Sequence, residues 1–345
     1  MADIKSRTGR TFTRHVAPFA PLALALAMGQ LPSSRPSTSS ELKEMDIPDN
    51  VTAVACEDNI ADFQECHANY PTGCSKAAKY DAYLNYLKNL TPSPPASGVN
   101  FLDLAAFDNL NSNTPQNLGQ NNNHSEFKEE LTRLGEGSQY GVVGYLYYFE
   151  ATGAESSNCE LTGPDAEGGN VDFHIGIGFD QTLTAQVNVN NPAKPPKTLQ
   201  QKSVIVEMTP HYRARFQDSI WTLANLKPAL GHKVKVVGQL LVDSEHNKPA
   251  DNCALKGTAA QENHCWRYSI WELHPVTIFE YCADDSCTQA SGNWLPLGGP
   301  SRGSAGGTAS GENPREQPSP AGGTTSRPAS STRRVEPQSG RASRP

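Results

Sequence analysis

From Gln139 onward the apolar residues of this chain recur at every second position, and that period restricts the second half to β-structure. Val142, Val143, Tyr145, Tyr147 and Phe149 form a first strand, VDFHIGIGF (171–179) a second and SVIVEMT (203–209) a third. KVKVVGQLLVD (233–243) is the fourth. The fifth runs from Tyr268 to Leu273 and on through Val276 to Tyr281, interrupted by Pro275. Proline donates nothing to a ladder, so Pro275 predicts a bulge, an edge or a bend. Between the third and fourth strands, Phe216, Ile220, Trp221, Leu223, Leu226 and Leu230 predict a helix ended by Gly231.

Ahead of Gln139 the period is helical. Tyr80, Tyr83, Leu84, Leu87 and Leu90 lie on one face of an amphipathic helix. Phe101, Leu102, Leu104, Ala105 and Phe107 predict a second helix, and a third follows Ser125. The Asn-rich stretch 109–123 reads as loop. The element order of the second half, β-β-β-α-β-β, is that of the oligonucleotide/oligosaccharide-binding (OB) barrel. The expected class is therefore α+β: a mainly β, OB-like five-stranded barrel over residues 135–288, preceded by a small helical region at 56–134. A generic twisted antiparallel sheet is the competing fold.

Composition shifts set the outer boundaries. Residues 1–29 carry Lys5, Arg7, Arg10 and Arg14, then an apolar run ending in Ala-Leu-Ala-Met-Gly. A basic segment, a short apolar segment and a small-x-small end are the layout of a secretory signal peptide. The apolar run falls short of the roughly 20 residues that span a bilayer, and no second run approaches that length. The expectation is a secreted or periplasmic chain with no transmembrane segment once mature. Ser/Pro-rich residues 30–55 read as linker, and residues 289–345, rich in Gly, Ser, Pro and Arg, as a disordered tail.

Eight cysteines in an exported chain favour disulfides. Cys253 with Cys265 and Cys282 with Cys287 are the expected local pairs. Cys56, Cys66, Cys74 and Cys159 are left to tie the N-terminal segment to the later domain. No C-x-x-C pair supports a zinc ribbon. The formal charge is −7, and with both basic termini set aside residues 30–300 carry −14. Such a core repels polyanions, which disfavours nucleic acid as the partner.

The segments GYLYYFEATGAESSNCEL, VDFHIGIG, VIVEMTP, GHKVKVVGQLLVDSEH and WELHPVT together resemble an uncharacterised family of bacterial exported proteins. That family looks like an OB-type barrel closing in a W-E-[IL]-H-P-V signature. The resemblance covers about Leu131 to Cys282 and implies a fold, not a mechanism. A more distant likeness is to the thermonuclease-type barrel, whose Asp/Arg/Glu catalytic pattern has no clear match here.

Histidines and carboxylates are not scattered over the strands. Asp172 and His174 share a face of the second strand, as Glu272 and His274 do on the fifth. Glu207 and His211 close the third strand, and Asp243, Glu245 and His246 follow the fourth. A barrel would bring these to one rim. Imidazole with carboxylate is a ligand set for a divalent metal, zinc or manganese, and also serves general acid–base chemistry. In that reading His174, His274 and Glu207 are the catalytic candidates. Asp172, His174, Asp243, His246 and His274 are the metal-ligating ones, and Arg213 and Arg215 would bind an anionic substrate group. Equally, such histidines satisfy hydrogen bonds and pin loops. Tyr145, Tyr147 and Tyr148 read as a packed face, and Trp221 as core. The motifs G-x-x-x-x-G-K-[ST] and H-E-x-x-H are absent from the sequence. Two functions stay open: a binding module for a small molecule, glycan or protein, and a metal-dependent hydrolase of phosphodiesterase or nuclease type.

Overall fold

The computed structural model describes residues 51–163, 169–217 and 220–298. The segment expected as signal peptide (1–29), most of the expected linker and residues 299–345 lie outside the described residues. From Thr52 on, the described chain belongs to one unit.

Its fold is α+β, with five strands that pair all the way round. They are β2 (Gln139–Ala151), β3 (Phe173–Gly178), β4 (Ser203–Met208), β5 (Lys233–Val242) and β6 (Trp271–Cys282). A short β1 (Asn100–Leu102) lies parallel to β2, and β7 (Leu295–Pro296) extends β6. β2 pairs antiparallel with β5 through residues 139–145 and with β3 through residues 145–151. β3–β4 and β5–β6 are also antiparallel. The ring closes through a parallel contact of β4 with β6 at Val206 and Leu273. Along β6 the register slips opposite Gly238, beside Pro275. A Cβ at Gly238 would lie 2.7 Å from the Pro275 carbonyl oxygen, so only glycine lets the bulge close up.

Alternation sorts the strand residues between two faces. Leu146, Ile175, Val206, Val236, Leu240 and Leu273 belong to the main apolar core. Tyr147, Tyr148 and Ile205 turn the other way, under the short helix 197–201 that buries Leu199. Trp221 is buried as expected, and Trp271 is fully buried with its indole N–H donating to Thr114 Oγ1.

The helical region is real, with several changes from expectation. Helix α1 (Phe63–Asn69) starts where the Asp62 carboxylate accepts from the Glu65 N–H. Helix α2 (Ala82–Lys88) is shorter than the stripe that predicts it: Tyr83, Leu84 and Leu87 lie on it, Tyr80 and Leu90 flank it, and all five are buried. The second predicted helix begins later, because residues 100–102 pair as β1 and Asp103 caps α3 (Leu104–Asn113) through the Ala106 N–H. Helix α3 thus runs into the stretch read as loop, anchored by buried Phe107 and Leu110. Helix α4 (Lys128–Leu134) ends at Gly135, whose φ is 111°.

The predicted helix over 216–230 is not continuous. A turn at Pro210–Tyr212 leads into a π-helical turn at Arg213–Gln217. After it a new one-turn helix (Leu223–Leu226) starts under a Thr222 cap and gives way to a 3-10 turn at Lys227–Ala229, where Pro228 lacks the N–H that an α-helix needs. Phe216 and Ile220 are each 40 % exposed, so the apparent single apolar face does not exist. At the other boundary, Leu297 is buried and β7 pairs with Glu280 and Tyr281, so residues 295–297, assigned by sequence to the tail, pack on the ring.

Four disulfides brace this unit: Cys56–Cys74, Cys66–Cys159, Cys253–Cys265 and Cys282–Cys287. Both expected local pairs are present, and Cys66–Cys159 ties α1 to the loop after β2. Among the described residues no helix is long and apolar enough to cross a membrane.

Two predictions follow from this architecture. Cross-linking removes more unfolded-state entropy the longer the loop it closes, and the Cys66–Cys159 and Cys282–Cys287 separations are 93 and 5 residues. Converting the first pair to Ala is expected to cost about 4.5 kcal/mol and the second about 2 kcal/mol, read from urea unfolding. Separately, the His67 and His211 imidazoles lie 3.7 Å apart between α1 and the 210–212 turn. Burial, then the His67 charge and Arg215, push His211 down to about 4, and burial and Arg215 lower His67 as well. Folded values below the unfolded one give stability that is present above pH 6.5 and is lost as pH falls toward 4. His211→Asn should therefore lose less stability than wild type between pH 7 and pH 5, in paired denaturation curves.

Candidate functional site: a buried charge circuit under a polar cleft

The strand directions put the start of β3, the end of β4, the end of β5 and the start of β6 at the same end of the ring. Register then sets the pairs: His174 lies directly opposite Glu207, and Leu241 opposite Glu272. Phe173, Ile175, Val206, Leu273 and Val242 face the apolar core. Their neighbours His174, Glu207, His274 and Asp243 therefore point to the opposite face. The expected gathering at a barrel rim is thus displaced. The groups meet on the face turned away from the core, where α2 and the 243–267 segment cover them.

Eight described side chains form a closed circuit in which cationic or protonatable groups alternate with carboxylates. Arg267 donates to Asp243 Oδ2 at 2.9 Å and to Glu272 Oε2 at 2.6 Å. Glu272 Oε1 lies 3.1 Å from His274 Nδ1, which is 3.2 Å from Glu207 Oε2. Glu207 Oε1 is 2.8 Å from His174 Nε2, and His174 Nε2 is 3.9 Å from Glu155 Oε1. Glu155 Oε2 lies 3.9 Å from Lys88 Nζ, and Lys88 closes the loop at 3.8 Å from Asp243 Oδ2. Lys88, Glu207, Asp243, Arg267, Glu272 and His274 are all buried.

Such burial is tolerable only with paired charge. Burial alone would raise the carboxyls of Glu207 and Asp243. His174 and His274 outweigh it at Glu207, and Lys88, His246 and Arg267 at Asp243, holding both well below the usual carboxylate range. Burial would lower His174, but Glu207 and Glu155 lift it to about 9. Burial would lower His274 too, yet Glu207, Glu272 and Asp172 raise it. Asp172 stands outside the circuit. Burial, then Glu155 and Glu207, push its carboxyl up to about 7, although Asn158 donates to Oδ2 at 2.9 Å.

Above the circuit opens a cleft of 270 Å³. Lys88, His174 and His246 bring nitrogen to it, and Glu155, Asp243 and Glu245 bring carboxylate. Asn85, Ser156 and Ser157 complete a wall in which Ala154 is the apolar residue. Trp266 sits behind, stacked parallel to His174 with centroids 6.3 Å apart and edge-on to His246 at 5.1 Å.

The sequence-predicted residues divide accordingly. Asp172, His174, Glu207, Asp243 and His274 meet in one cluster. His246 reaches its edge, 3.6 Å from Asp243 Oδ2, and is held by Asp251 at 2.9 Å. Arg213 and Arg215 do not line the cleft and are not placed to bind its occupant. Arg213 is buried, donates to the Val171 carbonyl and lies 3.7 Å over the Phe173 ring. Arg215 donates to Thr91 Oγ1. His211 lies against His67, the two rings tilted by 30°, instead of joining Glu207.

Sequence reasoning passed over Lys88, Glu155 and Arg267. For Lys88 a signal existed: it falls four residues after Leu84, on the apolar stripe of its helix, where a cation has to find an acid. Nothing local marks Glu155 or Arg267. No family model, no curated protein and no solved structure matches this chain, so the chemistry of the site rests on its own geometry.

Arg267 is the hub between two buried carboxylates. Arg267→Met leaves Asp243 and Glu272 without their shared partner and should cost about 3–5 kcal/mol in urea unfolding. Lys248→Met, on a side chain 60 % exposed, is expected to change stability by less than about 1 kcal/mol.

Proposed function

We propose that this chain is an exported OB-like binding module that holds a small, hydroxyl-rich molecule, a single sugar unit or a compound of that size, in the cleft above the charge circuit. The strand order β2-β3-β4-β6-β5 and back to β2, with helical turns between β4 and β5, supports the OB-like reading. The four disulfides support an oxidising compartment, and the basic, apolar N-terminus supports secretion or delivery to a periplasm.

The observation that carries the ligand class is the lining. Hydrogen-bonding groups of both signs face a space of 270 Å³. That volume lies below the usual range for drug-sized ligands, and the wall offers donors and acceptors in place of an apolar platform. A polyol meets both signs without leaving a charge unpaired. A polyanion such as nucleic acid meets Glu155, Asp243 and Glu245, which counts against it.

The test is saturation-transfer NMR of the full chain with a monosaccharide and disaccharide panel. At least one sugar should bind, and Glu245→Gln with His246→Gln should weaken it at least tenfold while leaving thermal stability within about 2 °C. A panel without a single binder contradicts the reading.

A second reading has its own support. His174 at about 9 and Asp172 at about 7 place a proton donor and an acceptor in one cluster, the pattern of an acid–base hydrolase. In that reading His174, His274 and Glu207 carry the chemistry, and turnover of bis(p-nitrophenyl) phosphate would be lost in Glu207→Gln. Wild-type protein inert toward that diester, with and without added Zn²⁺ or Mn²⁺, counts against it.

A further inference from the structure

Buried polar atoms without a hydrogen-bond partner gather in the cluster: Asp172 Oδ1 and His274 Nε2, with Asp243 Oδ1 and Arg267 Nε beside them. Asp172 and His274 are each 1 % exposed, and Glu207 is fully buried. A buried polar atom left without a partner costs roughly 1–3 kcal/mol, so several in one place call for an occupant. The same residues have a second property. Asp172, Glu207 and His274 each offer a ligand atom, and the three atoms lie within 4.8 Å of one another.

We propose that Asp172, Glu207 and His274 form a site for one divalent transition-metal cation, Zn²⁺ or Mn²⁺, clamping β3, β4 and β6. The donor set fits. Two carboxylates and one neutral imidazole supply a charge of −2, matching a dication. On His274, Nδ1 lies 3.1 Å from Glu272 Oε1 and 3.2 Å from Glu207 Oε2, and Nε2 is the ring nitrogen left without a partner to take a cation. An imidazole whose second nitrogen is fixed by a carboxylate is the usual orientation of a metal-bound histidine. On ligation the imidazole passes any Nε2 proton to solvent. The flanking cations Lys88 and Arg267 are already bound to other carboxylates and do not compete for Asp172 Oδ1. The ligands come from three separate strands of the ring, so the cation would stabilise folded over unfolded chain. The site is narrower than the sequence suggested: His174 points to Glu207 and Glu155, and Asp243 and His246 belong to the Arg267 and Asp251 contacts. It stands apart from the sugar reading of the cleft, and either can fail alone.

The experiment is titration of the untagged, chelator-treated full chain with ZnCl₂ and with MnCl₂, by calorimetry and by thermal unfolding. One equivalent of at least one metal should bind, and saturating metal should raise the unfolding temperature by several degrees. Asp172→Asn and His274→Gln should each weaken binding at least a hundredfold. His211→Asn, which removes one of the paired imidazoles at the 210–212 turn, should bind as wild type does. Neither metal binding wild type would overturn the proposal, as would Asp172→Asn retaining full affinity, or His211→Asn losing it. If the two ligand variants fail to fold, the wild-type and His211→Asn titrations still decide it.

Discussion

The fold of this chain depends on how it buries charge. Asp243, Glu207, Glu272, Lys88 and Arg267 are all removed from water on one face of a ring of strands. Taken singly, such groups would be shed from the interior or neutralised, because desolvating an ion costs several kcal/mol. Alternation removes that difficulty. Each carboxylate in the circuit lies between two cationic or protonatable groups, and each of those lies between two carboxylates. The raised imidazoles of His174 and His274 and the depressed carboxyls of Glu207 and Asp243 express the same compensation, their charged forms being favoured by their neighbours.

The circuit also explains why the helical region and the strands form one unit. Lys88 ends α2, and its ammonium lies against Asp243 after β5 and Glu155 after β2. The apolar stripe of α2 supplies area, while Lys88 supplies register, since a buried cation has few positions in which both acids are within reach. Cys66–Cys159 holds the same two parts covalently. Above this rigid layer the cleft opens onto His174, a half-buried side chain whose position is set from below by Glu207. A site supported in this way presents fixed donors and acceptors to a ligand.

Much of this was readable from residue order. The period of two after Gln139 located all five long strands, because each has one face in the apolar core, and the same alternation put Asp172 with His174 and Glu272 with His274 on shared faces. What the sequence could not show was which side of the sheet they occupy. Both sides are covered here, one by core and one by α2 and the 243–267 segment, so the pattern alone does not name the solvent side. The helix expected over 216–230 fails because its apolar spacing is met by three short turns around Thr222 and Pro228. Arg213 and Arg215 looked like anion ligands by type alone, yet Phe173, the Val171 carbonyl and Thr91 take their guanidinium groups. Arg267 and Glu155, distant in sequence and without periodicity, become partners of the cluster only when the ring closes.

A double-mutant cycle between Lys88 and Asp243 tests the circuit most directly, since it joins α2 to the end of β5 across 3.8 Å. Lys88→Met, Asp243→Asn and the double variant would be compared by urea unfolding at neutral pH. The buried charge circuit predicts a coupling of about 2 kcal/mol, with the double variant less damaged than the sum of the singles. Additivity within about 0.5 kcal/mol would mean that the two charges do not sense each other in the folded protein, and would contradict the account.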